Sequence, residues 1–450
     1  MRHCSSASAA IGENMKITVV GGGYVGLVSG ACLAKTGHDV TIIDTIPQKV
    51  EMINSGRPPI YEIGLEEILK SCVGRNLRAS MNYDSVAESD IALICVGTPP
   101  RPDGSANLDY IESAAESIGK EIGKAESRGV NRFRTVVVKS TVPPGTTEKI
   151  VVPAVLKGVG SCATADGLSI DIGFAMNPEF LREGLAVEDF LNPDRIVIGS
   201  GGGKAKDAVT AMYEGIGTER LYCGITAAEM IKYTSNAFLA TKISFSNEIG
   251  NICKKLGIDV YEVMKGVGMD HRISPFFLNA GAGFGGSCFP KDVSALVSLA
   301  ESSDVDPVLL KSVLGVNDVQ PLKMIELLEK RIGDISGKHI AVLGLAFKND
   351  TDDIRDSRSI PVLAELIKKG AKITAYDPMA TAAMKTLFDE SKVVYCASAK
   401  DALRDADACL VMTEWPEFTK LDAEFDGMRS RVIIEGRRIL SVKDKEGICW

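Results

Sequence analysis

The run "KITVVGGGYVG", Lys16 to Gly26, decides how this chain is read. A short β-rich segment meets three glycines and then an apolar stretch with helical character. The spacing Gly21-x-Gly23-x-x-Gly26 fits a strand–turn–helix. The first glycine permits the tight turn, the second lets backbone approach a pyrophosphate at the helix N-terminus, and the third lets helix and strand pack closely. Tyr24 and Val25 lie inside the motif. A lone motif of this kind is weak. Here "TGHDVTIID" supplies a second strand ending in Asp44, 18 residues past Gly26, where a carboxylate can accept ribose hydroxyls. An aspartate there favours NAD over NADP, since a 2′-phosphate would be repelled. Lys49 is placed to touch the ribose or a phosphate, and Thr98, after the strand in "SDIALICVGTPP", should face the cofactor cleft.

Working outward, the pattern returns. "KHIAVLGLAFKND", "SIPVLAELIKKG" and "AKITAYDP" again spell strand, glycine turn, helix and a strand ending in Asp. "DADACLVMTEWP" then matches the third strand of the first half. This is a loose internal repeat of two βαβ domains. The second copy carries Lys348 where the fingerprint needs glycine, so it is not expected to bind a dinucleotide. Lys348, Arg355 and the pair Arg437–Arg438 fit either a different phosphate or ordinary solvated surface.

Between the halves, Thr226 to Ile258 has no proline, few glycines and helical spacing of Met230, Phe238, Ile249 and Ile252. One long helix is expected, with several more up to about residue 333. The expected fold is α/β: two Rossmann-like, doubly wound parallel-sheet domains joined by a long central helix and a helical middle domain. The parts are a disordered extension (1–14), an N-terminal NAD-binding domain (15–225), a central helical and dimerisation domain (226–333) and a C-terminal Rossmann-like domain (334–450). Met15 reads as an alternative start.

Composition supports this and excludes other classes. A chain of 450 residues, 45% hydrophobic, exceeds one ordinary core. A net charge of −8 disfavours a nucleic-acid or anionic-membrane binder. The run 17–34 is uncharged, but five glycines interrupt it. No export signal stands out. The 11 cysteines are scattered without a CxxC, as in a reduced, cytoplasmic protein. Four histidines without ligand spacing argue against a metal site.

The chemistry concentrates elsewhere. In "GAGFGGSCFPKD", Cys288 sits among glycines with Lys291 and Asp292 downstream. It reads either as a buried turn thiol or as a nucleophile whose surroundings were stripped of bulk. A lysine nearby favours the thiolate. "STVPPGTT" sets Thr141 at the C-terminal end of a strand, where open α/β sheets bind ligands. In "NPEFLREG", Glu179 and Glu183 share a face if the segment is helical, as do Lys232 and Asn236 in "IKYTSN". Each pair alone reads more readily as surface.

Taken in order, "GGGYVGL", "KSTVPPGTT", "NPEFLREG", the Lys-x-x-x-Asn helix, "GFGGSCFPKD" and "GLAFKNDTDDIRDS" resemble the nucleotide-sugar 6-dehydrogenases over about residues 15–440. That family comprises UDP-glucose, GDP-mannose and UDP-N-acetylhexosamine dehydrogenases. The "GGSCFPKD" form is most similar to the UDP-glucose branch, with the GDP-mannose and acetamido branches as alternatives. A non-catalytic NAD-binding scaffold would keep the fold without the polar set. The resemblance implies a four-electron oxidation of a sugar C6 alcohol to a carboxylate, with NAD used twice and a cysteine thiohemiacetal and thioester between. It implies that Cys288 is the nucleophile, Lys232 steadies the alkoxide, Asn236 orients the sugar, and Asp292 with Thr141 handles a proton or water. Glu179 would assist hydrolysis. Glu183, Lys291 and Arg355 would contact the cofactor. Phe180 and Leu181, the run Phe277, Leu278, Asn279 to Gly281, and Gly285 with Lys348 would hold the nucleotide sugar. Arg272 would reach a neighbour's substrate in a homodimer.

Overall fold

The computed structural model describes residues 14–130, 132–161 and 171–450. The expected extension falls almost wholly outside the described residues. Two compact units emerge. The first comprises the chain up to Arg101 and Ala106–Lys232; the second comprises Pro102–Ser105 and Tyr233–Trp450.

The first unit is built on eight strands: β1 Lys16–Val20, β2 Asp39–Ile43, β3 Leu77–Ser80, β4 Ile91–Ile94, β5 Arg134–Val138, β6 Ile172–Met176, β7 Ile196–Ser200 and β8 Arg220–Cys223. Their order is β3-β2-β1-β4-β5-β6-β7-β8, parallel except between β6 and β7. Near-continuous apolar strands follow from burial on both faces. Strand alternation divides them between two cores. Ile17, Val19, Ile91, Leu93 and Val137 enter one, while Val20, Ala92, Ile94, Val136 and Val138 enter the other. The order reverses between β1 and β4, and the crevice beyond the C-terminal ends of such strands is where ligands bind in open α/β sheets.

The second unit holds six parallel strands: β9 His339–Leu343, β10 Lys372–Tyr376, β11 Val394–Tyr395, β12 Ala408–Val411, β13 Ile433–Glu435 and β14 Lys445–Gly447. Their order, β11-β10-β9-β12-β13-β14, repeats the first six positions of the first sheet. Helical residues before β9 share its core, among them Cys253, Val260, Met264, Met324 and Leu328.

The two turns after β1 and β9 diverge. Gly344 does keep the place of Gly21. Its φ is +94°, and a Cβ there would lie 2.5 Å from Thr413. Counted from the strand ends, however, Ala346 and Asn349 stand where Gly23 and Gly26 do, so the second and third glycines of the fingerprint are missing from this copy. The next helix begins only at Ser359, so no helix N-terminus opens directly behind that turn.

Candidate active site

After β1, Gly21 has φ +106°, and a Cβ on it would stand 2.7 Å from the Cys95 carbonyl oxygen. A Cβ on Gly26 would fall 1.8 Å from the Gly21 carbonyl oxygen. Gly23 differs, since a Cβ there would meet nothing within 4 Å. It caps the helix Tyr24–Lys35 with no side-chain hydrogen bond, which leaves amides for an anion. Asp44 accepts from the amides of Gly22 (3.0 Å) and Ile46 (2.9 Å), and Lys49 lies 3.9 Å away. These residues fit a dinucleotide. Val25 packs partly into the core. The Tyr24 hydroxyl bonds Glu62, and the Gly184 amide donates to it at 2.8 Å. Glu62, which no sequence signal marks, also accepts from the amides of Gly184 and Ala186, each at 2.8 Å, and so braces the turn carrying Glu183.

At the ends of β4 to β6 a second set gathers. Thr98 is buried and its hydroxyl donates to the Thr141 carbonyl at 2.9 Å. Glu179 and Glu183 do not share a helix face, because the chain from Asn177 to Arg182 is irregular. Glu179 turns inward instead. It pairs with Lys232 at 3.0 Å and accepts from the Leu181 amide at 2.6 Å, both side chains nearly inaccessible. Burial alone would raise the Glu179 carboxyl, but the Lys232 ammonium, the Leu181 amide and Lys139 outweigh it and hold it below its usual value. Lys232 also stands 5.4 Å from the Phe180 ring centroid. Three residues before Lys232 on the same helix, buried Glu229 accepts from the Thr147 amide (2.8 Å), the Thr147 hydroxyl (2.6 Å) and the Gly145 amide (2.5 Å). It thereby ties down the loop after Thr141. The helical spacing from Lys232 is the signal that could have found it.

The helix Ile225–Leu256 continues to Asn236, as its spacing predicts. Asn236 is buried and donates to Asp292 at 2.6 Å, while Lys291 binds the other carboxylate oxygen at 2.5 Å. Asp292 is 1% exposed. It belongs to the first turn of the helix Phe289–Ser302, whose N-cap is Cys288. That thiol is exposed, which decides between the two readings of the sequence: it is not a buried turn cysteine. Cys95, by contrast, is buried and its thiol is pushed up to about 12 by desolvation.

The glycines before Cys288 have another cause than the one expected. A Cβ on Gly281 would meet the Gly436 carbonyl oxygen at 2.5 Å. One on Gly285 would meet the Asp356 carbonyl at 2.3 Å, and one on Gly286 the Phe347 ring at 2.7 Å. Close chain packing, not open space, requires them. Three buried amides that the sequence reading missed fasten this loop. Asn247 accepts from the Gly281 amide (2.7 Å), Gln320 donates to its carbonyl (3.0 Å), and Asn317 grips both backbone groups of Phe284 (2.7 and 3.0 Å). Their signal was faint, since isolated amides in helices usually face solvent.

Other candidates are dispersed. Phe277 has φ +64° and packs edge-on against Phe289. Leu278 is buried and Asn279 exposed. Lys348 lies 5.9 Å from the Phe347 ring. Arg355 pairs with Asp353 and Arg272 with Asp270, both guanidiniums largely exposed. Leu181 is partly buried beside the first core. No group of three or more His, Cys, Asp or Glu among the described residues is arranged to hold a metal, and no helix there is long and apolar enough to cross a membrane.

Comparison with known proteins places the chain. Models of the UDP-glucose/GDP-mannose dehydrogenase family match in three parts: the NAD binding domain over residues 15–217, the central domain over 226–319 and the UDP binding domain over 341–442. The chain is 44% identical to the UDP-glucose 6-dehydrogenase AglM of Haloferax volcanii, across 96% of this chain and 98% of that protein. It is 42% identical to the UDP-glucose 6-dehydrogenase YwqF of Bacillus subtilis, across 96% and 95%. The solved UDP-glucose dehydrogenase of Pyrobaculum islandicum superposes with a TM-score of 0.90 at 40% identity, covering all of both chains. An NAD-type glycine turn, a UDP-type second sheet and relatives matched from end to end make this chain a member of the UDP-glucose/GDP-mannose dehydrogenase family.

Proposed function

We propose that this chain oxidises C6 of UDP-glucose to the carboxylate of UDP-glucuronate. One observation carries the reading: an exposed Cys288 caps a helix whose first turn holds a buried Asp292 gripped by Asn236 and Lys291. A helix N-terminus favours a thiolate, and an exposed one can reach an aldehyde. The relatives' names favour UDP-glucose over other nucleotide sugars.

NAD, held by Gly21, Gly23, Gly26 and Asp44, supplies the hydride acceptor for each of two oxidations. The chain does the rest. Lys232 offsets charge developing on the C6 oxygen, and Asn236 orients that oxygen. Cys288 adds to the aldehyde, which keeps it attached as a thiohemiacetal until the second oxidation leaves a thioester. Water, positioned by Thr141 and Asp292 with Glu179 assisting, cleaves the thioester and returns the thiol. Glu183, Lys291 and Arg355 serve the cofactor. The segment Phe277–Gly281 with Phe180, Leu181, Gly285 and Lys348 serves the nucleotide sugar.

The same reading extends to assembly. Phe238, Phe245 and Ile252 recur every seven residues along the long helix and are 62%, 51% and 52% exposed. Such a stripe suits a second copy of this helix, and we assign Arg272 to the neighbour's substrate. The reduced thiols suit the cytoplasm. Turnover with limiting UDP-glucose tests the central claim: two NADH per sugar are expected, and one would end it. GDP-mannose and UDP-N-acetylhexosamines, run in parallel, should turn over far more slowly.

A further inference from the structure

Lys139 is 3% exposed, yet no carboxylate among the described residues lies within ion-pair distance of its ammonium. It follows β5 by one residue, opposite Asn177, whose amide donates to the Val138 carbonyl at 2.8 Å. The ammonium donates to Asn177 Oδ1 at 3.1 Å and to the Tyr213 hydroxyl at 3.0 Å, and Tyr213 donates to Asn177 Oδ1 at 2.6 Å. The Phe190 and Tyr213 ring centroids stand 5.8 and 5.7 Å away. Asn177 spends its own NH₂ on the Val197 carbonyl at 2.8 Å. A buried cation served only by neutral acceptors is costly. Its nearest use is two residues on from Asn177, at Glu179, whose carboxylate already pairs with Lys232.

We infer that Lys139 is a positioning residue for the reaction. It fixes the Asn177–Glu179 corner through Asn177 and adds a second buried positive charge that keeps Glu179 ionised. Glu179 thus pairs directly with Lys232, while Lys139, beyond ion-pair distance, acts on it through its field. The groups facing Glu179 are Lys232 on the long helix, Lys139 after β5 and the buried Cys95 thiol after β4. Of these, the two cations favour the carboxylate, and a carboxylate, not a carboxylic acid, can take a proton from the hydrolytic water. This inference rests on the role proposed above for Glu179.

The test is the pH dependence of kcat, with KM for UDP-glucose and NAD, in wild type, Lys139→Met, Lys139→Arg, Asn177→Asp and Glu179→Gln. Lys139→Met removes the charge. Asn177→Asp neutralises it with the lysine in place, and carries the test if the first variant does not fold. In both, Glu179 should take up a proton at higher pH. The acid limb of kcat then moves to higher pH, costing about tenfold at the acid end and little at the alkaline end. Lys139→Arg should restore the wild-type limb, and the KM values should hardly move. A uniform loss with coincident limbs in Lys139→Met and Asn177→Asp would overturn the inference and leave Lys139 a packing residue. Separately, wild-type turnover by Glu179→Gln would overturn the role given to Glu179 itself.

Discussion

Asp44 and Asp377 occupy the same step of two equivalent sheets, each one residue past the second strand, and they are used differently. Asp44 accepts two amides. Asp377 is 3% exposed and accepts from the amides of Leu345, Ala346, Met379 and Ala380 and from the Trp415 indole, at 2.7 to 3.0 Å. The first keeps acceptor capacity, which the proposed function gives to a ribose; the second spends it on its own turn, on the turn after β9 and on Trp415.

Asp377→Asn should therefore cost stability, about 3 kcal/mol, because an NH₂ would replace an oxygen that several donors need. Asp44→Ala should cost only about 1 kcal/mol but raise the KM for NAD about tenfold and narrow the preference over NADP. Denaturant unfolding and steady-state kinetics on both variants check this; equal destabilisation would contradict it.

The glycine turn makes a sharper contrast. Gly23 has an ordinary φ of −76° and open space around it, so Gly23→Ala should melt within about 2 °C of wild type yet lose NAD binding about tenfold or more. Gly26→Ala drives a methyl into the Gly21 carbonyl and should cost about 3 kcal/mol. Calorimetry with NAD titration separates the two.

Cys288→Ser should fold normally, since the thiol is exposed. Uronate formation should fall about a thousandfold or more, with a bound intermediate detectable by mass spectrometry. Sustained release of uronate at the wild-type rate would refute the thioester route.

Lys232→Met should expose the cost of burying Glu179. In the wild type that carboxyl titrates below its usual value, so its contribution to stability is present above the unfolded carboxylate range and is lost as pH falls through the lower folded value. Without Lys232, burial dominates and the sign reverses. The deficit against wild type should be about 3–5 kcal/mol near neutral pH and shrink towards acid pH. Unfolding at several pH values reads this directly.

Phe245→Asp should weaken self-association by about 2 kcal/mol, or ~30-fold in Kd, in analytical ultracentrifugation. An unchanged sedimentation profile would remove the helix stripe from the interface.

Much was legible along the chain, because the features concerned are local. Strand runs, the tight turn at Gly21, the helix start at Tyr24 and the shared face of Lys232 and Asn236 depend on residues within a few positions of one another. The return of strand, glycine turn, helix and strand in the second half followed from the same periodicities, whereas the strand order shared by the two sheets came from the fold. What only the tertiary structure decided were relations between distant segments. The inward turn of Glu179 onto Lys232, the bond of Thr98 to Thr141 and the clamp of Asn247, Asn317 and Gln320 on the cysteine loop are examples. So is the reason for Gly281 and Gly285, which avoid carbonyls more than 70 residues away in the chain. Hydrogen bonds and steric limits of that kind carry no period. A buried lysine such as Lys139 looks, in one dimension, like any lysine at the end of a strand, and only the packed chain shows what its charge faces.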